Sequence, residues 1–395
     1  MSPWRVAVVC DYPEEGWASM DLTGEMLLSS LAKGHGDEFA ASRIRPSFQR
    51  RLTRLPVLGK REAARNGDRL LNRFWDYPRA IRRIARGGEI DLYHVVDHSY
   101  SQLLHDLPTG RSVVTCHDVD TFRCLDEPGV EPRPAWFRAM ARRIESGLRR
   151  ASAIVCNSEA TREVVRARGL IAADRVHVVY LGTHPECRAE ADPAHDAEAS
   201  RLLGQDCGVE ILHVGTNIAR KRVDVLLEVF AILHRANPEA RLIKVGGALP
   251  REMERLARSL RVDRAIVTLP FVSPGVLAAI YRRAALVLLP SESEGFGLPA
   301  AEALACGAPL LASEIRAFRE VAGDAAVYRA VGEVAAWGEA ALAMLQERAC
   351  LDDAWRARRD AGIVRARQFS WDRHANRLAE IYREVLSRRD ALAAR

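Results

Sequence analysis

Glu294 and Glu302 frame the stretch Glu294-Gly-Phe-Gly-Leu-Pro-Ala-Ala-Glu302, which follows a short apolar run from Leu286 to Leu289. The run reads as a buried strand, and Gly295 and Gly297 permit a tight loop after it. Pro299 suits the opening of a helix and Gly307 its end, so the spacing predicts a helix of about two turns. A helix that starts where a strand ends offers free amides to an anion, here around Gly297, Leu298 and Ala300, and a diphosphate fits that geometry. Glu294 in the loop and Glu302 one turn inside the helix are then expected to face one pocket. A carboxylate accepts two hydroxyl hydrogen bonds, which suits the vicinal diol of a ribose or a sugar. A surface loop whose acids merely cap a helix is the bland alternative, and the glycines, Pro299 and the preceding strand weigh against it.

Arg220 and Lys221 occupy a comparable place. They follow the run Glu210 to Val214 in the loop Gly215-Thr-Asn-Ile-Ala-Arg-Lys-Arg, ahead of a helix with Val225, Leu226, Val229, Phe230 and Leu233 on one face. Positioned cations in a water-poor site stabilise the charge that develops on a departing phosphate better than bulk water does. Of the 58 basic residues only those at 33, 60, 221 and 244 are lysine, so a lysine in this loop is informative. Arg222 reads as the solvated start of the helix. His117 and Asp118 end the strand Ser112 to Cys116, where a side chain points out of the sheet edge rather than into the core. His117 is expected to orient a ligand, and Asp118 to fix its tautomer or to line a second pocket. Asp97 and His98 end another strand-like run, and Gly16 lies in the loop after the first one. A metal on the Asp97 and His98 segment is disfavoured, since ligands along a strand end point to both faces, and no metal-holding pair of aspartates follows a strand.

The segment Glu294-Gly-Phe-Gly-Leu-Pro-Ala-Ala-Glu302-Ala-Leu-Ala-Cys-Gly resembles the hallmark of the retaining GT-B glycosyltransferases of family 4, the group 1 type. The Gly215-Thr stretch leading to Arg220-Lys221 and the Val-Val-Thr-Cys-His117-Asp118 element are similar to further elements of that family. The resemblance implies an α/β, GT-B fold, with two Rossmann-like doubly wound domains facing a central cleft. It implies that Glu294 contacts the transferred sugar and Glu302 the ribose, that Arg220 and Lys221 bind the donor diphosphate, and that His117 approaches the donor sugar from the acceptor side. Phe271 and Val272, past the strand Ala265 to Leu269, join Gly215, Gly295, Phe296, Gly297 and Leu298 on the donor side. Gly16, Asp97, His98 and Asp118 are placed on the acceptor side. The loop after the first strand carries only Gly16 where the family is richer in glycine, so Glu14 or Glu15 could serve the acceptor instead.

These residues need strands to hold them, and the pattern supplies two sets. Strands are expected at Arg5 to Cys10, Leu92 to Val96, Ser112 to Cys116, Ala153 to Asn157 and Val176 to Leu181, with a further one near Phe39. A second series runs Glu210 to Val214, Leu242 to Val245, Ala265 to Leu269, Leu286 to Leu289 and Pro309 to Ala312. Helical stretches alternate with them, the signature of parallel sheets. The boundaries expected are a first domain over 1–185, a linker over 186–208 that lacks apolar periodicity, a second domain over 209–370, and a final helical segment over 371–395 that crosses back to the first.

With 48% hydrophobic residues the chain can bury two cores, and no run approaches the roughly 20 apolar residues of a membrane span. The short run at Val6 to Cys10 is no signal-peptide core, and the eight scattered cysteines form no C-x-x-C pair, so a cytoplasmic protein is expected. The net charge of +6 is uneven. Between Arg43 and Arg86 fourteen basic residues oppose Glu62, Asp68 and Asp76, a balance of +11 that leaves −5 for the rest. Leu70, Leu71, Phe74, Ile81 and Ile84 recur there near helical spacing with a kink expected at Pro78. The segment is either a peripheral contact with an anionic membrane surface or a solvated face. Nucleic acid is not an expected partner, because no recognisable module is present.

The function expected is transfer of a hexose from a nucleotide-sugar donor to a hydroxyl of a glycan or lipid-linked acceptor, with no cofactor and no metal. The stretch Phe318-Arg-Glu-Val-Ala-Gly-Asp-Ala-Ala resembles mannosyltransferase-like members and makes GDP-mannose the first guess. A phosphorylase would need a cofactor lysine, which is not seen. A silent sugar-nucleotide-binding or membrane-associated scaffold, or a nucleotide-sugar epimerase, stands as the alternative.

Overall fold

The computed structural model describes residues 2–55, 62–204, 209–351 and 353–393. The chain divides into two compact units, Met1–Leu181 with Trp371–Arg395, and Gly182–Ser370.

In the first unit the strands are β1 (Trp4–Val9), β2 (Phe39–Ile44), β3 (Leu92–Val95), β4 (Ser112–Cys116), β5 (Ala153–Cys156) and β6 (Val176–Val178). They form one parallel sheet in the order β2-β1-β3-β4-β5-β6. Successive side chains on a strand point to opposite faces. In β1, Ala7 and Val9 therefore enter one apolar cluster with Tyr77, Ile81 and Leu103, while Val6 and Val8 enter another with Leu27, Leu31 and Leu378. A sheet covered on both faces explains why the central strands read as unbroken apolar runs. The final helix, Trp371–Ala393, belongs to this unit, and its Leu378, Ile381, Tyr382 and Val385 complete the second cluster. Tyr382 Oη meets His94 Nδ1 at 2.5 Å, and His94 Nε2 meets Thr115 Oγ1 at 2.8 Å, so the buried imidazole of β3 is paired at both nitrogens.

The second unit repeats the plan with β7 (Glu210–Val214), β8 (Arg241–Val245), β9 (Ile266–Leu269), β10 (Leu286–Leu289), β11 (Leu310–Ser313) and β12 (Val327–Arg329), ordered β12-β11-β10-β7-β8-β9. In each sheet the strand order reverses once, between β1 and β3 and between β7 and β10. At such a switch point the two flanking loops part, and open α/β sheets bind ligands there.

The structure revises the sequence reading in three places. The segment 186–208, expected to be a linker, contains the helix Pro193–Leu203 within the second unit; residues 205–208 lie outside the described residues. Asp192 caps it by accepting from Ala194 N and His195 N, and it buries only Ala199 and Leu203, too narrow a stripe to show as periodicity. The edge strand β12 was not anticipated, because it has three residues and only Tyr328 is buried. Pro78 breaks nothing. The helices Glu62–Leu71 and Tyr77–Arg86 are joined by a π-helical turn, Asn72–Asp76, and proline sits at the start of the second, where its missing N–H is tolerated.

Candidate functional site

At the switch point of the second sheet the loops after β7 and β10 are tied together. Glu292 N donates to Arg220 O at 2.7 Å, and Arg220 donates through its guanidinium to Ser293 O, also at 2.7 Å. Glu294 then receives Lys221 Nζ at 2.6 Å and Ser291 Oγ at 2.7 Å on one oxygen, and Arg220 at 3.1 Å on the other. Its side chain is only 7% exposed. Burial alone would raise its pKa, but the charges of Lys221 and Arg220 outweigh that and hold it below the ordinary carboxylate range. The arrangement is a buried carboxylate held by two cations, a pair of charges that can also attract an anion.

Glu302 lies on the helix Leu298–Ala305 with a different partner: Tyr281 Oη donates to it at 3.0 Å. With one neutral hydrogen bond and no cation beside it, burial pushes its pKa up to about 7. Gly297 caps this helix at φ 94°, and a β-carbon there would meet the Phe318 ring at 2.9 Å, so glycine is required twice over. The helix closes in a Schellman pattern, with Gly307 N to Leu304 O at 3.0 Å and Ala308 N to Ala303 O at 2.9 Å.

Lys244 extends the network across β8. It is fully buried, donates to Gly215 O at 3.1 Å and Gly247 O at 2.9 Å, and burial lowers its pKa to about 8. Gly246 and Gly247 both donate to Leu269 O at 3.0 Å, beside the loop that carries Phe271 and Val272. Phe271 is 53% exposed and Val272 half-buried, whereas Phe296 is buried edge-on against Phe369. Arg222 caps its helix at φ 48° and pairs with Asp224, as its reading as a helix start requires.

The first sheet gathers a second group at its own switch point. Asp11 follows β1, Asp97 and His98 follow β3, and His117 and Asp118 follow β4. Asp97 accepts from Ser99 N at 2.8 Å and from the Ser99 hydroxyl. His98 Nδ1 lies 3.3 Å from Asp97 and its Nε2 4.0 Å from Asp118. His117 departs from expectation: Nε2 meets the carbonyl of Val96 at 2.8 Å and Nδ1 the Asn157 amide at 3.5 Å, while Asp118 accepts from Asp120 N. A carbonyl can only accept, so Val96, not Asp118, sets the tautomer. Burial lowers the His117 pKa although the charge of Asp97 opposes it. A ligand would have to take Nδ1 from the long Asn157 contact. Gly16, at φ 77°, is exposed at the end of the turn Pro13–Glu15.

That turn is held from the basic segment by two of its arginines. Arg69 donates to Glu14 O at 3.0 and 2.7 Å, and Arg73, carried by the π-turn, reaches Ser99 O and lies 3.7 Å from Glu15. Tyr100 Oη donates to Glu15 at 2.6 Å under the Arg73 guanidinium. Arg45, Arg51 and Arg82 pair with Asp21, Asp76 and Asp106. Leu70, Leu71, Trp75 and Ile84 are exposed among arginines such as Arg65, Arg83 and Arg86, with Arg79 stacked 3.2 Å over Trp75. Lys60 and Arg61 lie outside the described residues. Among the described residues, no helix is long and apolar enough to cross a membrane. Glu186, Asp192 and His195 are the group with ligand atoms close enough to hold a metal; they sit at the cap of helix Pro193–Leu203, away from the strand ends.

The structure thus brings together Arg220, Lys221 and Glu294 in one unit and Asp97, His98, His117 and Asp118 in the other. Asp11, Arg73, Tyr281, Ser291 and Lys244 were not singled out from sequence. Only Lys244 carried a signal, as one of four lysines in the chain, at the end of an apolar strand.

Two doubly wound units, each with polar groups at its switch point and a final helix returned to the first, define the GT-B architecture. Solved structures agree on the fold: sucrose-phosphate synthase from Thermosynechococcus elongatus superposes with a TM-score of 0.73 at 18% identity, covering 97% of this chain and 99% of that one. Anabaena HepE in complex with UDP-glucose gives 0.66 at 16%, covering 95% and 98%. The family model for glycosyl transferases group 1 matches residues 205–358, and that for glycosyltransferase family 4 matches residues 32–186. The chain belongs to the group 1 GT-B glycosyltransferases. Among curated relatives, D-inositol 3-phosphate glycosyltransferase of Xylanimonas cellulosilytica is 34% identical over 251 residues, 60% of this chain and 58% of that protein. O-antigen chain mannosyltransferase B of Escherichia coli is 28% identical over 282 residues, 69% and 70%. The alignments with the first two inositol-phosphate relatives span about half of those proteins, 58% and 44%.

Proposed function

We propose that the chain is a retaining, metal-independent hexosyltransferase. On this reading the second unit holds a nucleotide-diphosphate sugar, and the first holds a hydroxyl of a glycan or lipid-linked acceptor. The observation that carries the reading is the meeting of Arg220, Lys221 and Glu294 where the loops after β7 and β10 join. A diphosphate arriving there competes with Glu294 for the two cations, and the carboxylate it displaces becomes free to accept hydrogen bonds from the sugar. Charge developing on the departing phosphate is stabilised by fixed cations in a buried site. The bond from the anomeric carbon to the phosphate oxygen breaks through an oxocarbenium-like state. The departing phosphate takes the proton of the incoming hydroxyl, and the new bond forms on the same face. No protein nucleophile is required. Glu302 would take the ribose, and Phe271, Val272, Gly295 and the amides around Gly297 and Leu298 the remainder of the donor. His117 would orient the sugar.

Mannose is the first candidate, supported by the name of the Escherichia coli relative. The exposed patch of Leu70, Leu71, Trp75 and Ile84, with Arg79 and Arg83 beside it, supports a peripheral contact with an anionic membrane surface on the cytoplasmic side. The test is incubation with GDP-mannose and UDP-hexoses in EDTA with a glycoside acceptor, reading product stereochemistry by NMR. The reading expects an α-linked product from an α-donor, undiminished by EDTA. An inverted product, or an Arg220→Ala, Lys221→Ala double variant only modestly below wild type, would overturn it.

A further inference from the structure

The acid pair at the switch point of the first sheet points to the chemistry of the acceptor. Asp11 is 3% exposed, and among the described residues no donor reaches either of its carboxylate oxygens, which lie against the carboxyl group of Asp97. It stands across the β1–β3 pairing from Asp97, since Val9 is in register with Val95 and Val96 N donates to Val9 O. His98, 4% exposed, has both ring nitrogens outside hydrogen-bonding geometry despite their nearness to Asp97 and Asp118. Polar atoms buried without partners are costly, and three side chains here share that condition or border it.

We propose that Asp11 and Asp97, with His98 beside them, form the subsite that receives the reacting end of the acceptor, and that they select an unphosphorylated polyol over a phosphorylated one. The proposal rests on the glycosyltransferase reading above and deepens it. Charges facing Asp11 are those of Asp97, Glu15 and Arg73, and the Arg73 guanidinium is already engaged by Ser99 O, Glu15 and the Tyr100 ring. A phosphate dianion brings only acceptor atoms and negative charge to a site dominated by carboxyl groups, which repels it. A sugar or cyclitol hydroxyl both donates and accepts. Burial and the neighbouring charge of Asp97 push the Asp11 pKa well up, whereas that of Asp97, which burial would raise, is pulled down by the charges of His98 and His117. Two carboxyl groups biased in opposite directions suit a hydroxyl, which both donates and accepts.

The experiment measures binding of methyl α-mannoside, myo-inositol and inositol 3-phosphate by saturation-transfer NMR, with and without UDP or GDP. Wild type and Asp11→Asn are compared, and thermal stabilisation by nucleotide sugars is recorded separately. The proposal expects at least one neutral polyol to bind about tenfold better than inositol 3-phosphate, and Asp11→Asn to weaken that binding about tenfold with the nucleotide response unchanged. Preference for inositol 3-phosphate, or no binding by any of the three probes, overturns it; so does an unaltered, folded Asp11→Asn. The wild-type comparison stands even if the variant does not fold. Absence of any nucleotide response would count against the donor reading, not against this subsite.

Discussion

Glu294 neutralises two cations that would otherwise be buried among apolar strands and carbonyl groups. Replacing it with glutamine keeps the shape and removes the charge that faces Lys221 and Arg220, and a broken buried pair costs about 3–5 kcal/mol. Glu294→Gln is therefore expected to lower stability in urea by a few kcal/mol and to cut transfer by about a hundredfold. Glu302 gives a pH signature of opposite sign. Its folded pKa, about 7, lies above the ordinary 4.5, so its neutral form favours the fold. That contribution is complete below pH 4.5 and is lost as pH rises through 7, amounting to at most about 3 kcal/mol. Wild type should thus lose stability from pH 5 to 7.5 relative to Glu302→Gln. If a ribose diol binds the carboxylate, donor affinity should rise over the same window and do so less in the variant. Identical pH profiles for the two proteins would contradict the burial argument.

At the scale of elements, the loops after β7, β8, β9 and β10 stay in place through contacts few residues can make. Gly246 has φ 113°, and a β-carbon would stand 2.3 Å from Gly215 O, so both the backbone and the space require glycine. Gly246→Ala is expected to destabilise the second unit by at least about 1–2 kcal/mol and to weaken donor binding by displacing the Gly215 loop; urea unfolding with nucleotide titration checks both. This scale also shows what could be read from sequence. The strands Ser112–Cys116, Glu210–Val214 and Leu286–Leu289 were legible to the residue, because a strand buried on both faces is an apolar run bounded by polar breaks. The helix after Gly297 was legible from its glycine and proline punctuation. The π-turn at Asn72–Asp76 was not: its i→i+5 bonding shifts the helical register and no residue type marks it, yet Arg73 within it reaches Ser99 O and Glu15. The basic segment read as a surface charge, although Arg69 and Arg73 brace the loop after β1.

Across the whole molecule, the two sheets were visible as two series of strands, and the residues that the resemblance assigns to the donor include the meeting trio Arg220, Lys221 and Glu294. The first half was less legible, since Asp11 and Asp97 become neighbours only through the parallel pairing of β1 and β3, with some 80 intervening residues that sequence cannot fold away. The final helix shows how such long-range pairing can be tested. Tyr382 and His94, 288 positions apart, meet in the first unit. Tyr382→Phe should remove one buried hydrogen bond and cost about 1–3 kcal/mol, seen in calorimetry as a lowered transition of that unit with the other unchanged.

The central claim is that the second unit binds a nucleotide-diphosphate sugar through its own side chains. Thermal stabilisation by UDP, GDP and their sugars, measured in EDTA on wild type, Glu302→Ala and the Arg220→Ala, Lys221→Ala pair, tests it most directly. The account predicts a shift of several degrees with one nucleotide family, reduced in Glu302→Ala and abolished in the double variant. No shift with any nucleotide, or a shift that survives loss of both cations, would contradict it.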